Sequence, residues 1–452
     1  MRLKYLLTLL LAAGLASVAT ANPYETTLKN GLRIIVKEDH RAPTAVQMVW
    51  YRIGSMDEVD GASGVAHVLE HMMFKGTPSV GPGEFNKRVA AAGGRDNAFT
   101  SRDYTAYFQQ IPKEKLADMM QLEADRMRHL NVDAKEFEQE IKVVMEERRM
   151  RTDDNPQAKL FEQMNAVAFQ AHPYRRPIIG WMNDLENMTA ADAKAWYDTW
   201  YVPNNAYVVI TGDVDHKTVF ALAERYYGPL EGRALPPRRQ QIEPKQEGSR
   251  RVTVKAPAEL PVLIMGYKAP ILRDVDKDSD PYALEMLAAI LDGHDAARFN
   301  KKLVREDKIA LTAGIDYDNT ARGPGMLYLH GTPSEGKTVA DLEAALRAEI
   351  ARVQQEGVSE VELKRAKAQL IAGEVYKKDS MFGQAMEIGQ IEAVGLPYGK
   401  IDRMLDKLQQ VTAAQVQAVA QKYFNDDALT VGVLDPQPLD GKPRRPAVAT
   451  RH

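Results

Sequence analysis

The sequence predicts an α+β protein made of two tandem homologous domains, each a mostly antiparallel sheet with helices packed on one side. A chain of 452 residues is too long for one hydrophobic core and should form at least two. Short strand-like runs also alternate with longer segments of helical period. In addition, a helix followed by a strand occurs twice. One such unit begins at Thr189 and the other at Thr412, 223 residues further along, which is close to half the chain.

The first 21 residues are typical of a secretory signal peptide that is cleaved on export. Basic Arg2 and Lys4 precede an apolar run from Tyr5 to Val18, and the small residues at 19–21 offer a cleavage site. This run is short for a membrane span, and no later segment reaches eighteen apolar residues. We therefore expect no stable membrane insertion, with a retained N-terminal anchor as the alternative.

The amino-acid composition limits the cellular compartments and the classes of partner that are compatible with this chain. The chain has no cysteine, which excludes disulfide bonds and an acylated N-terminal cysteine. Together with the signal peptide, this predicts a periplasmic protein. The net charge is −3, and the short Lys/Arg clusters form no basic stripe, so we expect no nucleic-acid partner.

The segment after the signal peptide shows strand patterns and then helical ones. Asn30-Gly31, the favoured two-residue turn, predicts a hairpin over Leu28–Val36, and Val46–Arg52 is a second strand candidate. The next predicted elements are, in chain order, a helix from about Gly64 to before Gly76, a helix over Glu84–Ala92, strands over Asn97–Ser101 and Tyr104–Phe108, and helices over Lys113–His129 and Ala134–Arg151.

The helix after Gly64 carries the run His67-Val68-Leu69-Glu70-His71. Histidines four residues apart lie one above the other on a helix, so His67 and His71 can present imidazole nitrogens to one Zn²⁺. Glu70 lies beside them, where a carboxylate can take a proton from a water held by the metal and return it to a leaving amine. The motif predicts a metal-dependent hydrolase.

A catalytic zinc ion keeps one open position, so one further protein ligand is needed. The helix over 134–151 offers Glu140 and Glu147, which are seven residues apart and share a face with Val143 and Val144 between them. We predict Glu147 as the third ligand and Glu140 as an auxiliary acid group that orients the site. Glu146 is the alternative ligand, but it is rotated by about 100° and should face solvent.

With the continuation Met72–Thr77 and the glutamate-rich helix, the motif closely resembles the pitrilysin/insulinase family of zinc peptidases. The resemblance is to the short branch, which includes the mitochondrial processing peptidase and bacterial periplasmic zinc peptidases, and it spans roughly residues 24–435. It implies one Zn²⁺ per chain on His67, His71 and Glu147, with Glu70 as catalytic base and Glu140 as catalytic helper.

The resemblance also implies a substrate-binding strand. In the family, this strand pairs with the main chain of an extended peptide, an interaction that tolerates varied side chains. The matching residues are Asn97, Ala98, Phe99 and Thr100. The alternative is an ordinary strand of the sheet.

The segment 232–248 is rich in proline, charge and glutamine and predicts an exposed linker. It would separate an N-terminal metallopeptidase domain, residues 22–231, from a C-terminal homologous domain, residues 249–437, with a disordered tail at 438–452. In the second half, Val252–Lys255 and Val262–Tyr267 are predicted strands and Pro281–Leu291 a helix. This helix carries no His-x-x-Glu-His, so no second metal site is expected.

In the family, the second half supplies an arginine and a tyrosine that hold the substrate. Arg305 matches the arginine, but Thr312 stands where the tyrosine is expected, and a glycine-rich loop is reduced to Asp292–Asp295. Threonine cannot stabilise an oxyanion as a phenol can. We therefore expect a homologous partner chain that carries the Arg/Tyr pair, with a homodimer as the alternative.

The sequence as a whole predicts a zinc-dependent endopeptidase that hydrolyses peptides or unfolded polypeptides. The first alternative is a metal-binding, non-catalytic or incomplete subunit of a peptide-binding heterodimer, against which the intact Glu70 argues. A component of a membrane-associated processing complex is a second alternative, which the cleaved signal peptide and the lack of later membrane segments weaken.

Overall fold

The structure is a computed structural model, and it describes residues 23–439. The predicted signal peptide lies outside the described residues. The predicted disordered tail also lies outside them, except for Pro438 and Leu439.

The described residues of the first half form one mixed sheet and its helices. The strands are β1 (Tyr24–Thr27), β2 (Arg33–Glu38), β3 (Thr44–Tyr51), β4 (Arg95–Thr100), β5 (Thr105–Pro112) and β6 (Ala206–Gly212). The helices are α1 (Val65–Met72), α2 (Glu84–Ala91), α3 (Leu116–His129), α4 (Ala134–Arg148), α5 (Pro156–Ala168), α6 (Met182–Asn187), α7 (Ala190–Trp200) and α8 (His216–Tyr226). The strand order is β1-β2-β6-β3-β5-β4, and every pair is antiparallel except β2 with β6. Strand β4 is therefore an edge.

The second half repeats this plan. Its strands are β7 (Arg250–Pro257), β8 (Val262–Ala269), β9 (Ala310–Tyr317), β10 (Gly325–Pro333) and β11 (Leu429–Gln437). Its helices are α9 (Asp280–Asp292), α10 (Val339–Glu356), α11 (Glu360–Asp379), α12 (Met381–Ala393), α13 (Ile401–Gln410) and α14 (Ala413–Tyr423). The order is β7-β11-β8-β10-β9, with β7 and β11 as the parallel pair. The predicted fold class is confirmed.

The repeated helix starts have a common chemical cause. Thr189 and Thr412 are the N-caps of α7 and α14, and each forms a capping box with the residue three positions later, Asp192 or Gln415. Each box satisfies two backbone N–H groups that the first helical turn leaves without partners. The same local sequence signal therefore starts the same element in both halves.

Each sheet has two buried faces. One face packs against helices of its own half. The other face of the first sheet, which includes Trp50 and Tyr207, is covered by Ala385 and Ile388 of α12, a helix of the second half. Reciprocally, α5 of the first half covers the second sheet. The helices thus pack on one side within each half, and the halves exchange one helix each to cover the other side.

The approach of α12 to the first sheet depends on a glycine. A Cβ atom at Gly389 would lie 2.1 Å from two atoms of the Trp50 ring, so a larger residue cannot be accommodated without movement of a fully buried indole. Hydrogen bonds also join the two halves here, because the Tyr207 hydroxyl donates to the Gly389 carbonyl at 2.6 Å. The Thr211 hydroxyl likewise donates to the Met381 carbonyl at 2.7 Å.

One local prediction was wrong in detail. Strands β1 and β2 form an antiparallel pair, but the last paired residues are Thr27 and Arg33, so the connection is longer than a two-residue Asn-Gly turn. Gly31 adopts φ of 89°, and the Asn30 amide donates to the carbonyls of Tyr227 and Leu230. These distant contacts fix a wider loop than the dipeptide alone specifies.

Candidate active site

Helix α1 presents the motif from a fixed starting point. Its N-cap, Gly64, has φ of 89°, and a Cβ atom there would lie 2.5 Å from the Ile179 carbonyl oxygen. The buried Glu58 carboxylate accepts hydrogen bonds from the N–H groups of Gly64 and Ala66, both at 2.9 Å. Burial raises the pKa of Glu58 to about 8, although these N–H donors favour the carboxylate. Sequence reasoning missed this cap.

Three ligand atoms converge between α1 and α4. Glu147 Oε2 lies 3.4 Å from His71 Nε2 and 3.7 Å from His67 Nε2, and all three side chains are buried. The ligand atoms of a tetrahedral zinc site are about 3.3 Å apart, given bonds of about 2.0–2.1 Å. The Oε2 atom of Glu147 is buried and lies close to both imidazole nitrogens. The donor set and its spacing therefore fit a zinc ion.

Glu140 contacts His71 from the side opposite the ligand atom. The Nδ1–H of His71 donates to Glu140 Oε1 at 2.8 Å, and Lys75 forms an ion pair with the same carboxylate. Burial raises the pKa of Glu140, but these two cationic partners outweigh it and hold that pKa below its usual value. A hydrogen bond at Nδ1 fixes the tautomer that leaves Nε2 available to a metal.

The electrostatics of the ligands follow from their proximity. Burial lowers the pKa of His71, but hydrogen bonds and charges from Glu140 and Glu147 outweigh burial and raise that pKa to about 9. The pKa of Glu147 falls to about 2, because His71 and His67 outweigh the effect of burial. Arg151 also pairs with Glu147, through Oε1 at 2.5 Å, a contact that the sequence did not reveal.

Glu70 projects beside the ligand group and toward the edge strand. Its Oε2 atom accepts a hydrogen bond from the Thr100 hydroxyl at 2.5 Å. Burial raises the pKa of Glu70, while this hydrogen bond opposes the shift. A raised pKa brings a carboxylate closer to the range in which it can both accept and release a proton.

The site opens into a cavity of about 510 Å³. The cavity is lined by His67, Glu70, His71, Glu147, residues 97–100 of β4 and the loop 175–179, among others. Because β4 is at the edge of its sheet, its outer backbone groups face this cavity without a neighbouring strand within the described chain. A larger cavity of about 630 Å³ between α2, α3 and α8 contains none of the ligand groups found among the described residues.

The structure leaves some predicted residues away from the cavity. Arg305 is exposed and donates to the Asp295 carbonyl at 2.6 Å, and Thr312 is exposed on the edge strand β9. Neither lines the cavity. Glu146 is exposed and pairs with Arg149, as expected for a residue on the solvent side of α4.

The predicted valine stripe on α4 is wrong in one position. Val144 is fully buried, but Val143 is 46% exposed. The buried face therefore includes Glu140, Val144 and Glu147, and α1 is one of the helices that pack against α4. A second group of ligand side chains, Glu38, Asp215 and His216, lies at the start of α8, where Asp215 is exposed and caps the helix.

The fold and the side-chain group define a class: duplicated α+β proteins in which two histidines and one glutamate are placed so that they could hold a metal ion, as in zinc peptidases. Residues 33–181 match the family described as Insulinase (Peptidase family M16), and residues 187–370 match the description Peptidase M16 inactive domain. The chain belongs to peptidase family M16, which confirms the resemblance drawn from the motifs.

Two similar proteins match over nearly their whole length, and a third matches over about half of its length. The chain is 32% identical over 418 residues to the zinc protease PqqE of Helicobacter pylori, covering 91% of this chain and 92% of that protein. A crystal structure of a protease from Helicobacter pylori superposes with a TM-score of 0.87 at 29% identity, covering 91% of this chain and 99% of that one. The periplasmic protease PqqL of Escherichia coli shares the fold, with a TM-score of 0.77 at 20% identity, and this chain matches 47% of it.

Among residues 23–439, none of the helices combines the length and the apolar character needed to cross a bilayer.

Proposed function

We propose that this chain is a zinc-dependent endopeptidase that hydrolyses peptides or unfolded polypeptides. The observation that carries the proposal is the buried group of His67, His71 and Glu147, which faces the same cavity as Glu70 and the open edge of β4. Bound zinc would polarise the scissile carbonyl and acidify the attacking water. We assign one zinc ion per chain to these three ligands.

Glu70 is assigned as the general base and acid. Thr100 holds Oε2 of Glu70, so we assign Oε1 to take a proton from the attacking water and to deliver a proton to the leaving amine. Glu140 acts through His71, because it contacts the imidazole and Lys75. Its role is therefore to position a ligand.

The edge strand is assigned as the substrate platform. The backbone of Asn97, Ala98, Phe99 and Thr100 would pair with the main chain of an extended peptide and direct it past Glu70. Backbone pairing requires little of the substrate side chains, which suits an enzyme for unfolded polypeptides.

The test is hydrolysis of a quenched fluorescent peptide library by the purified chain from Asn22 onwards, with zinc supplied. Cleavage by the wild type and none by Glu70→Gln, with equal zinc content in both, is the expected result. If the Glu70→Gln chain cleaves as well as the wild type, the assigned role of Glu70 is wrong.

A second candidate is a subunit that needs a homologous partner chain. The observation that favours it is the exposure of Arg305 and Thr312, which lie outside the cavity. A partner could supply the Arg/Tyr pair, and a homodimer is the other assembly. Failure of the folded, zinc-loaded chain to cleave any peptide, together with recovery of a homologous chain on affinity purification from its own cells, would favour this candidate.

Three further proposals concern the chain as a whole. We assign the first metallopeptidase domain to residues 22–231 and the second domain to residues 249–437, joined by a segment without helix or strand. We also assign export by a cleaved signal peptide to the periplasm. Mass spectrometry of the protein from a periplasmic extract tests this, since a chain that still begins at Met1 would contradict it.

A further inference from the structure

The cavity beside the metal ligands is lined by four arginine side chains. Three of them have carboxylate partners within the chain: Arg151 with Glu147 at 2.5 Å, and Arg175 and Arg176 with Asp60 at 2.5 and 2.9 Å. The fourth, Arg102, forms no ion pair within 4.0 Å among residues 23–439, although its side chain is half-buried. A half-buried guanidinium without a carboxylate partner has lost part of its hydration and gains most from an anionic ligand.

Arg102 is held in place at the end of the edge strand. It follows Thr100, the partner of Glu70, by two residues, in the turn between β4 and β5. The backbone of this turn is fixed, because the carbonyls of Ser101 and Arg102 accept hydrogen bonds from Ser55 and Met56 at 3.1 and 2.9 Å. The turn is therefore a rigid support.

Tyrosines from both halves lie near the guanidinium. Its Cζ atom lies 5.0 Å from the centre of the Tyr174 ring. Burial raises the pKa of the Tyr328 hydroxyl on β10, and the neighbouring Arg102 opposes that shift. The contact with the Tyr174 ring fixes the position of the guanidinium.

The carboxylate adjacent to Arg102 in the sequence already has two other partners. Asp103 follows Arg102 in the sequence, but its Oδ1 accepts from the Tyr174 hydroxyl at 2.5 Å and its Oδ2 from the Arg322 backbone N–H at 3.0 Å. Asp103 thus joins the second half to the turn. It does not form an ion pair with Arg102.

We propose that Arg102 binds a carboxylate of the substrate peptide, so that peptides with an acidic group within a few residues of the scissile bond are preferred. The proposal rests on the proposed peptidase function. The planar guanidinium suits two parallel hydrogen bonds to a carboxylate. A peptide paired with β4 advances about 3.3 Å per residue, so a group beyond Thr100 meets a substrate residue close to the one at Glu70. The carboxylate is that of Asp, Glu or the peptide C-terminus.

The test compares matched peptides. One set carries Asp or Asn, or Glu or Gln, at each position around a cleaved bond, and a second set differs only in a free or amidated C-terminus. The chains are the wild type, Arg102→Gln, Arg102→Glu and the control Arg95→Gln. Arg95 lies at the other end of β4, donates to the Gln110 side chain and does not line the cavity.

The wild type should favour the acidic member of one pair by about 10–100-fold in kcat/KM, since a charged hydrogen-bonded pair contributes about 1.5–3 kcal/mol and each 1.4 kcal/mol is about tenfold. Arg102→Gln should bring this ratio close to one, Arg102→Glu should invert it, and Arg95→Gln should retain it. A preference within the first peptide set would show that Arg102 binds an Asp or Glu side chain, and a preference within the second set would show that it binds the C-terminal carboxylate. A wild type without acidic preference, or a preference that Arg102→Gln retains, would overturn the proposal.

A binding measurement separates this proposal from the proposed function. Fluorescence anisotropy of the same labelled pairs on zinc-loaded Glu70→Gln chains, with and without Arg102→Gln, requires no hydrolysis. If Glu70→Gln binds the acidic peptide more tightly than its neutral match and the double variant does not, the role of Arg102 is supported even if the wild type cleaves nothing. If both chains show the same preference for the acidic peptide, the role of Arg102 is refuted. If Arg102→Gln does not fold, Arg102→Lys should keep a preference that is weaker and more sensitive to salt, and an unchanged preference counts against the proposal.

Discussion

Removing the contact between Glu140 and His71 should weaken zinc binding by a predictable amount. The Nδ1–H of His71 donates to the Glu140 carboxylate at 2.8 Å, so in Glu140→Gln a charged acceptor becomes a neutral one. A hydrogen bond to a charged group contributes about 1.5–3 kcal/mol and a neutral one about 0.5–1.5 kcal/mol. The amide should therefore cost about 1–1.5 kcal/mol, or about 5–10-fold in zinc affinity. Glu140→Ala, which removes the acceptor altogether, should cost about 10–100-fold.

Zinc affinity is measured by competition with a chromophoric chelator at fixed pH. Glu146→Gln is the matched control, because Glu146 lies on the same helix but is exposed and pairs with Arg149. The folded state of each zinc-free variant is checked by circular dichroism. If Glu140→Ala binds zinc as tightly as Glu146→Gln, the contact with His71 does not orient the ligand and the reasoning is refuted.

Three further predictions address the base, the helix cap and the helix exchange. Glu70→Gln should bind zinc like the wild type but lose peptide hydrolysis, whereas His71→Ala should lose both zinc binding and hydrolysis. The zinc content and the kcat/KM of each variant are measured. Retained zinc in His71→Ala would contradict the ligand assignment. Burial holds the pKa of Glu58 near 8, above its value in the unfolded chain, so its ionisation opposes folding. The Tm of the wild type relative to Glu58→Gln should therefore fall from pH 5 to pH 8, and a difference independent of pH would count against it. Gly389→Ala should destabilise the chain by about 2 kcal/mol or more, because its Cβ would lie 2.1 Å from the Trp50 ring; an unchanged denaturation midpoint would show that α12 adapts easily.

The features that the sequence predicted are those with local causes. His67 and His71 are a single helical turn apart, so helix periodicity alone places them together. The start of α1 at Gly64 and the capped helices at Thr189 and Thr412 follow from short signals in the same way. Such signals act within a few residues and do not depend on the rest of the fold.

The features that the sequence did not reveal depend on distant segments. The Thr100 hydroxyl reaches Glu70 only because the register of β4 and the position of α1 are both fixed. The width of the loop at Asn30 is likewise set by carbonyls about 200 residues away. For such contacts the sequence shows which polar side chains are present, but it does not show which distant residues they contact.

The exchange of α5 and α12 could be predicted from the sequence only in part. Strand β3 has apolar residues on both faces, including Val46, Met48 and Trp50 on the side opposite the main core. A strand that is apolar on both faces indicates burial on both faces. It does not say which element covers them, because an apolar strand face specifies burial and not a particular partner. The identity of α12 as the cover could come only from the structure.

The exchange of α5 and α12 also bears on how a duplicated gene can diverge. Helix α9 follows the second strand of its sheet and carries no His-x-x-Glu-His, yet the second half still supplies α12, which buries one face of the first sheet. Because each half needs a helix from the other, the two halves must be kept together, although the residues of the second half that do not pack against the first remain free to change. Anyone who wishes to isolate the metal-site half must supply a substitute for the borrowed helix.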